Sequence, residues 1–77
     1  MIFTLCMEED GFMKDIKVNR EQKIVETILV LQDGKVLPPD IDIKKVRIFS
    51  GRKGEYIDKN ANYVQEDIFQ GDILYIR

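Results

Sequence analysis

Apolar and polar residues alternate with period two near both ends of the chain, and recur at helical spacing once between them. Residues 2–7 (I-F-T-L-C-M) and 12–18 (F-M-K-D-I-K-V) read as strands, with Asp10-Gly11 as a hairpin signal between them. With those two residues as the loop, Glu9 faces Phe12, Leu5 faces Ile16 and Phe3 faces Val18. Phe3, Leu5, Ile16 and Val18 then share the core face, and Ile2, Thr4 and Cys6 point outward or to an edge. Residues 21–33 read as a helix, with Asn19 as N-cap and Gln22 completing a loose capping box. Ile24, Ile28 and Leu31 form its buried stripe with Thr27 beside them, and Gly34 suits the left-handed position past its end. Val25, Leu29 and Val30 widen that helix's apolar surface.

Pro38-Pro39 then forces an extended connection, in which Val36 is expected to tuck under the sheet. Residues 45–49 form the next strand, placing Val46 and Ile48 on one face and Lys45, Arg47 and Phe49 on the other. Ser50 to Gly54 is a turn, Glu55 to Ile57 a short strand, and Asp58 to Asn60 a second turn. Residues 64–69 form a helical turn that plugs Val64 and Ile68 into the core. Gly71-Asp72 turns the chain into a last strand, 72–76, with Leu74 and Ile76 inward and Ile73, Tyr75 and Arg77 outward. The expected fold class is α+β, a mixed sheet of four to five strands with one helix packed on one face, in a single domain over residues 1–77.

Composition narrows the chemistry more than the fold. Twelve basic residues against fourteen acidic ones give a formal charge of −2, which argues against a dedicated nucleic-acid binder. The chain has no histidine, so the commonest general base and transition-metal ligand is missing. Its one cysteine, Cys6, excludes an internal disulfide framework and fits a reducing, cytoplasmic compartment. No activating base or cation lies near it in sequence, so an inert, partly buried thiol is expected. Asp40 and Asp42 lack the glycine and bidentate glutamate of a calcium loop and read as solvated acids. No apolar run is long enough to span a membrane, and no leader-like stretch opens the chain. Neither a cofactor nor an enzymatic activity is expected.

These elements resemble a ubiquitin-like β-grasp domain over nearly the whole chain. The resemblance rests on the opening hairpin, Ile24 six residues after Val18, Gly34 followed by Pro38-Pro39-Asp40, Ile48-Phe49-Ser50-Gly51, and the closing Val64…Ile68…Gly71-Asp72…Leu74…Ile76. An extra segment, Ile41 to Lys44, departs from ubiquitin. So does the absence of any Gly-Gly dipeptide; the chain ends at Arg77 after its last strand, which argues against conjugation or sulfur transfer. Among relatives lacking that tail, the chain is similar to the bacterial YukD-like family. Membership implies a non-enzymatic, cytoplasmic accessory protein of type VII (WXG100) secretion, with a membrane-associated secretion ATPase as its protein partner.

Two surfaces are candidates. Arg47, Phe49, Ile73, Tyr75 and Arg77 fall on the outer sheet face, and arginine and tyrosine are enriched at interface hot spots. The resemblance adds that ubiquitin's main binding surface is the corresponding face. The alternative is a nucleic-acid or phosphate-ligand module using the basic stretch Lys44, Lys45, Arg47, Arg52 and Lys53, part of which lies in Gly51-Arg52-Lys53-Gly54. That tetrapeptide joins two strands rather than opening a helix, and reads as turn chemistry. An exposed edge strand also leaves homodimerisation open.

Overall fold

The computed structural model describes residues 1–77. Five strands, β1 (Ile2–Met7), β2 (Phe12–Lys17), β3 (Ile48–Ser50), β4 (Glu55–Ile57) and β5 (Ile73–Ile76), form one sheet in the order β2-β1-β5-β3-β4. The central pair, β1 and β5, runs parallel, and the other pairs are antiparallel. The single helix α1 (Ile24–Asp33) supplies Ile24, Thr27 and Ile28 to the core. Those side chains join Phe3, Leu5, Leu37, Ile48, Ile57, Tyr63, Ile68, Leu74 and Ile76 to fill one side of the sheet. No helix is long and apolar enough to cross a membrane.

The hairpin register differs from expectation by two residues. Leu5 pairs with Lys14 and Phe3 with Ile16, because Glu8–Asp10 coil into a 3₁₀ turn and Gly11 closes it at φ 66°. The connection is therefore four residues rather than two. A shift of two preserves the alternation of faces, so Phe3 and Leu5 still enter the core. Cys6, expected on the outer face and partly buried, is there but only 5% exposed, since its strand is central to the sheet.

The helix starts later than its apparent cap. Asn19 Oδ1 accepts from the Glu21 amide in a local turn, and α1 begins at Ile24 with no side-chain cap. Its first amides are satisfied from far along the chain: Ile24 donates to the Ala61 carbonyl at 3.0 Å and Val25 to that of Lys59 at 2.8 Å. The left-handed residue after the helix is Lys35 (φ 60°), not Gly34 (φ −79°). Lys35 N–H bonds the Gln32 carbonyl and Val36 N–H that of Leu31, the paired bonds of a Schellman motif with Gly34 as C-cap. One consequence is that Leu37 enters the core where Val36 was expected, and Val36 is exposed.

The plug from the 63–67 turn is likewise displaced by one residue. Tyr63 is fully buried, whereas Val64 is 51% exposed. The turn closes through Ile68 N–H to the Tyr63 carbonyl, 3.0 Å, which directs Tyr63 and Ile68 inward together. The Tyr63 hydroxyl donates to Thr27 Oγ1 on α1 at 2.6 Å, and its ring lies 5.4 Å from that of Phe3. Burial pushes the Tyr63 hydroxyl up to about 12; Thr27, which can turn to donate to a phenolate, offsets part of that rise.

A second polar knot fixes the chain before β5. The Asp72 side chain is fully buried and accepts from Ser50 Oγ (2.9 Å), the Arg52 amide (3.1 Å) and the Ile73 amide (2.7 Å). Ser50 Oγ in turn accepts from the Lys53 amide at 3.1 Å, so one carboxylate sets both the turn after β3 and the entry to β5.

Candidate functional site

Strand register lines up one row of side chains across the whole outer face. Cys6 pairs with Met13 on one side and Tyr75 on the other, Tyr75 pairs with Phe49, and Phe49 with Tyr56. The row thus runs Met13–Cys6–Tyr75–Phe49–Tyr56 from edge to edge. The Phe49 and Tyr56 rings meet edge-on, centroids 5.1 Å apart, and Phe49 lies 6.3 Å from Tyr75.

A charged row lies beside it. Arg47 and Arg77 exchange both backbone hydrogen bonds at 2.8 Å, extending the β3–β5 ladder by one pair. Directly opposite residues of such a pair project from the same face. The Arg47 guanidinium stacks 4.0 Å from the Tyr56 ring centre, and that of Arg77 lies 4.5 Å from Phe49 and 5.1 Å from Tyr75. Arg77 also bonds the Glu8 carboxylate at 3.1 Å. The Tyr56 hydroxyl beside it and then Glu8 raise the Arg77 pKa further above its already high ordinary value, so it is cationic at any working pH. Arg47 makes no ion pair.

Four of the five outer-face residues singled out from the sequence, Arg47, Phe49, Tyr75 and Arg77, thus converge. The fifth, Ile73, lies at the opposite margin against Gly51, whose amide bonds its carbonyl at 2.8 Å. Tyr56 is the member that sequence reasoning passed over. Its signal was available: four residues between Ser50 and Glu55 set a register that puts Tyr56 opposite Phe49. Apolar area elsewhere includes Val30 and Leu29 on the solvent side of α1 and Met13 on the β2 edge.

The basic stretch flanks β3 on both sides. Lys44 and Lys45 precede β3, and Arg52 and Lys53 follow it, so the cations sit toward opposite ends of that strand. Arg52 stacks 4.2 Å from Phe69, bonds the Asp67 carbonyl and lies 3.7 Å from Asp72. Lys53 Nζ pairs with Glu55 at 3.2 Å and donates to the Glu66 carbonyl at 2.9 Å. Asp42 uses its side chain to accept the Lys44 amide at 3.0 Å. No three His, Cys, Asp or Glu side chains converge as a metal ligand set.

No protein-family model matches the sequence, and no curated protein matches it either. Solved structures do match. One of them, a de novo designed protein based on ubiquitin, superposes with a TM-score of 0.72 at 17% identity, covering 100% of this chain and 85% of that one. The chain therefore has a ubiquitin-like β-grasp fold of the α+β class, with a mixed five-stranded sheet and one helix.

Proposed function

We propose that this ubiquitin-like domain is a non-enzymatic protein-binding module that docks through its outer sheet face. The observation that carries this reading is the ring cluster of Phe49, Tyr56 and Tyr75 with the guanidiniums of Arg47 and Arg77 stacked on it. Aromatic and arginine side chains held in one geometry lose little conformational entropy on binding, which is why they recur as interface anchors. The finer reading is a YukD-like accessory protein of bacterial type VII (WXG100) secretion, acting in the cytoplasm on a membrane-associated secretion ATPase. It draws on the match in fold and on the Ile68…Gly71-Asp72…Leu74…Ile76 pattern of the last turn and strand.

The test is capture from detergent-solubilised host lysate by the tagged protein, alongside an Arg47→Glu/Tyr56→Ala variant. Tyr56 is on the edge strand and exposed, whereas Tyr75 is on an interior strand in register with the buried Cys6, so Tyr56 is the cleaner truncation. Capture of a secretion ATPase or WXG100-type proteins by wild type alone, from two equally folded baits, is the expected result. Equal capture by the folded variant overturns the docking face. Salt-sensitive recovery of RNA in place of protein overturns the module's class.

A further inference from the structure

Arg47 and Arg77 place two like charges side by side on the sheet. They form a hydrogen-bonded cross-strand pair, 2.8 Å in both directions, on one face of the sheet. Like charges directly opposite one another destabilise a sheet. Aromatic stacking fixes each guanidinium on one of two touching rings: Arg47 on Tyr56 at 4.0 Å and Arg77 on Phe49 at 4.5 Å, the ring centroids being 5.1 Å apart. A single exposed carboxylate, Glu8, compensates Arg77, at one contact of 3.1 Å, and Arg47 has none. A local rule broken in this way, two like charges directly opposite in a sheet, is expected at functional positions.

We infer that Arg47 and Arg77, with the Tyr56 hydroxyl as a further donor, form a recognition site for a phosphomonoester carried on a side chain of the protein partner. This inference rests on the protein-binding reading and names what that surface selects. Two features favour phosphoryl over carboxylate. Each guanidinium presents a planar fork, and two forks with the Tyr56 hydroxyl bring more donors to one anion than the roughly four lone-pair sites of a carboxylate, whereas the three oxygens of a phosphoryl group accept them all. The charge also matches, since a phosphomonoester carries about −1.5 to −2 at neutral pH against two guanidiniums. Arginine suits such bidentate contacts better than lysine, and here both cations are arginine. Glu8 then acts as a competitor that vacates Arg77 when the phosphoryl group arrives.

The probe is phenyl phosphate, titrated at constant ionic strength into the full-length protein while the Arg Nε–H and Tyr ring resonances are followed by NMR. Saturable shifts at Arg47, Arg77 and Tyr56 are expected. Arg47→Gln should weaken binding by at least about tenfold, and Glu8→Gln should strengthen it a few-fold by freeing Arg77. Benzoate carries the same ring with a carboxylate; an equal response to it overturns the phosphoryl assignment, as does the absence of saturable shifts. For the source, capture is repeated from phosphatase-treated lysate. Loss of the partner supports the inference. Capture that survives dephosphorylation, yet is abolished by Arg47→Glu/Tyr56→Ala, overturns this inference and leaves the docking face standing. Inorganic phosphate binding as tightly as phenyl phosphate, with capture indifferent to phosphatase, overturns the assignment to a partner side chain.

Discussion

Removing the Asp72 carboxylate should damage this fold more than any surface change. Asp72→Ala leaves the Arg52 amide, the Ile73 amide and the Ser50 hydroxyl without the acceptor they share, at 3.1, 2.7 and 2.9 Å. Hydrogen bonds to a charged group are worth about 1.5–3 kcal/mol each, but here they share one carboxylate and do not add. Ser50 is buried and keeps the Lys53 amide, so its loss is partial. The Arg52 guanidinium, 3.7 Å away on a side chain 38% exposed, contributes little. The total is about 3–4 kcal/mol, against about 4–12 kcal/mol for a domain of this size. Asp72→Asn keeps an oxygen for the two amides and turns its NH₂ toward Ser50, so about 1–2 kcal/mol is expected. Urea unfolding followed by far-UV circular dichroism reads both as shifts in midpoint at constant slope. An alanine variant within about 0.5 kcal/mol of wild type would refute the reasoning, because it would mean water replaces every one of those bonds.

Three further expectations concern other elements. Stability should be fully present below pH 10 and fall as pH rises toward 12, because the unfolded chain loses the Tyr63 proton first; the rise from 10 to about 12 corresponds to roughly 3 kcal/mol, and Tyr63→Phe should remove that part of a pH-dependent melt. Lys35→Gly should raise stability by about 0.5–1 kcal/mol, since Lys35 holds φ 60° at the end of α1; a lower melting temperature would contradict the strain argument. Gly51→Ala places a methyl 3.2 Å from the Tyr75 ring and 3.3 Å from the Ile73 carbonyl, so it should cost about 1 kcal/mol and shift the Tyr75 ring resonances.

The parts legible in the sequence were those governed by local periodicity. Alternation alone placed Phe3, Leu5, Leu74 and Ile76 inward and Arg47, Phe49, Tyr75 and Arg77 outward, and the two-residue register error at the hairpin left those faces intact. Long-range bonds decided what was missed. Asn19 looked like a helix cap, yet the amides at the helix start are taken by the carbonyls of Lys59 and Ala61, which no local pattern encodes. Tyr63 displaced Val64 as the core plug because its hydroxyl has Thr27 to meet, a polar match between positions 36 residues apart. Asp72 reads in sequence as turn chemistry; its role as a buried acceptor depends on Ser50 and Arg52, which arrive from another strand. The site was legible as a face but not as a geometry, since the contact between Arg47 and Tyr56 needs the β3–β4 register.

Arg47 offers a test in which stability and function should respond differently. If the residue were structural, its replacement would lower both. As a recognition residue placed against its own like-charged neighbour, it should not. Arg47→Glu loses the stack on Tyr56, worth about 0.5–1 kcal/mol at an exposed site, and gains an opposite-charge cross-strand pair with Arg77, worth about 0.2–1 kcal/mol. The two effects nearly cancel, so the melting temperature should stay within about 4 °C of wild type. Added salt should lower the variant's melting temperature relative to wild type, because screening weakens the new exposed pair and relieves the repulsion between Arg47 and Arg77 in the wild type. Partner capture, by contrast, should be lost, since a carboxylate now stands where the anion is to be received. A large fall in melting temperature with capture retained would place Arg47 in the scaffold and remove it from the site.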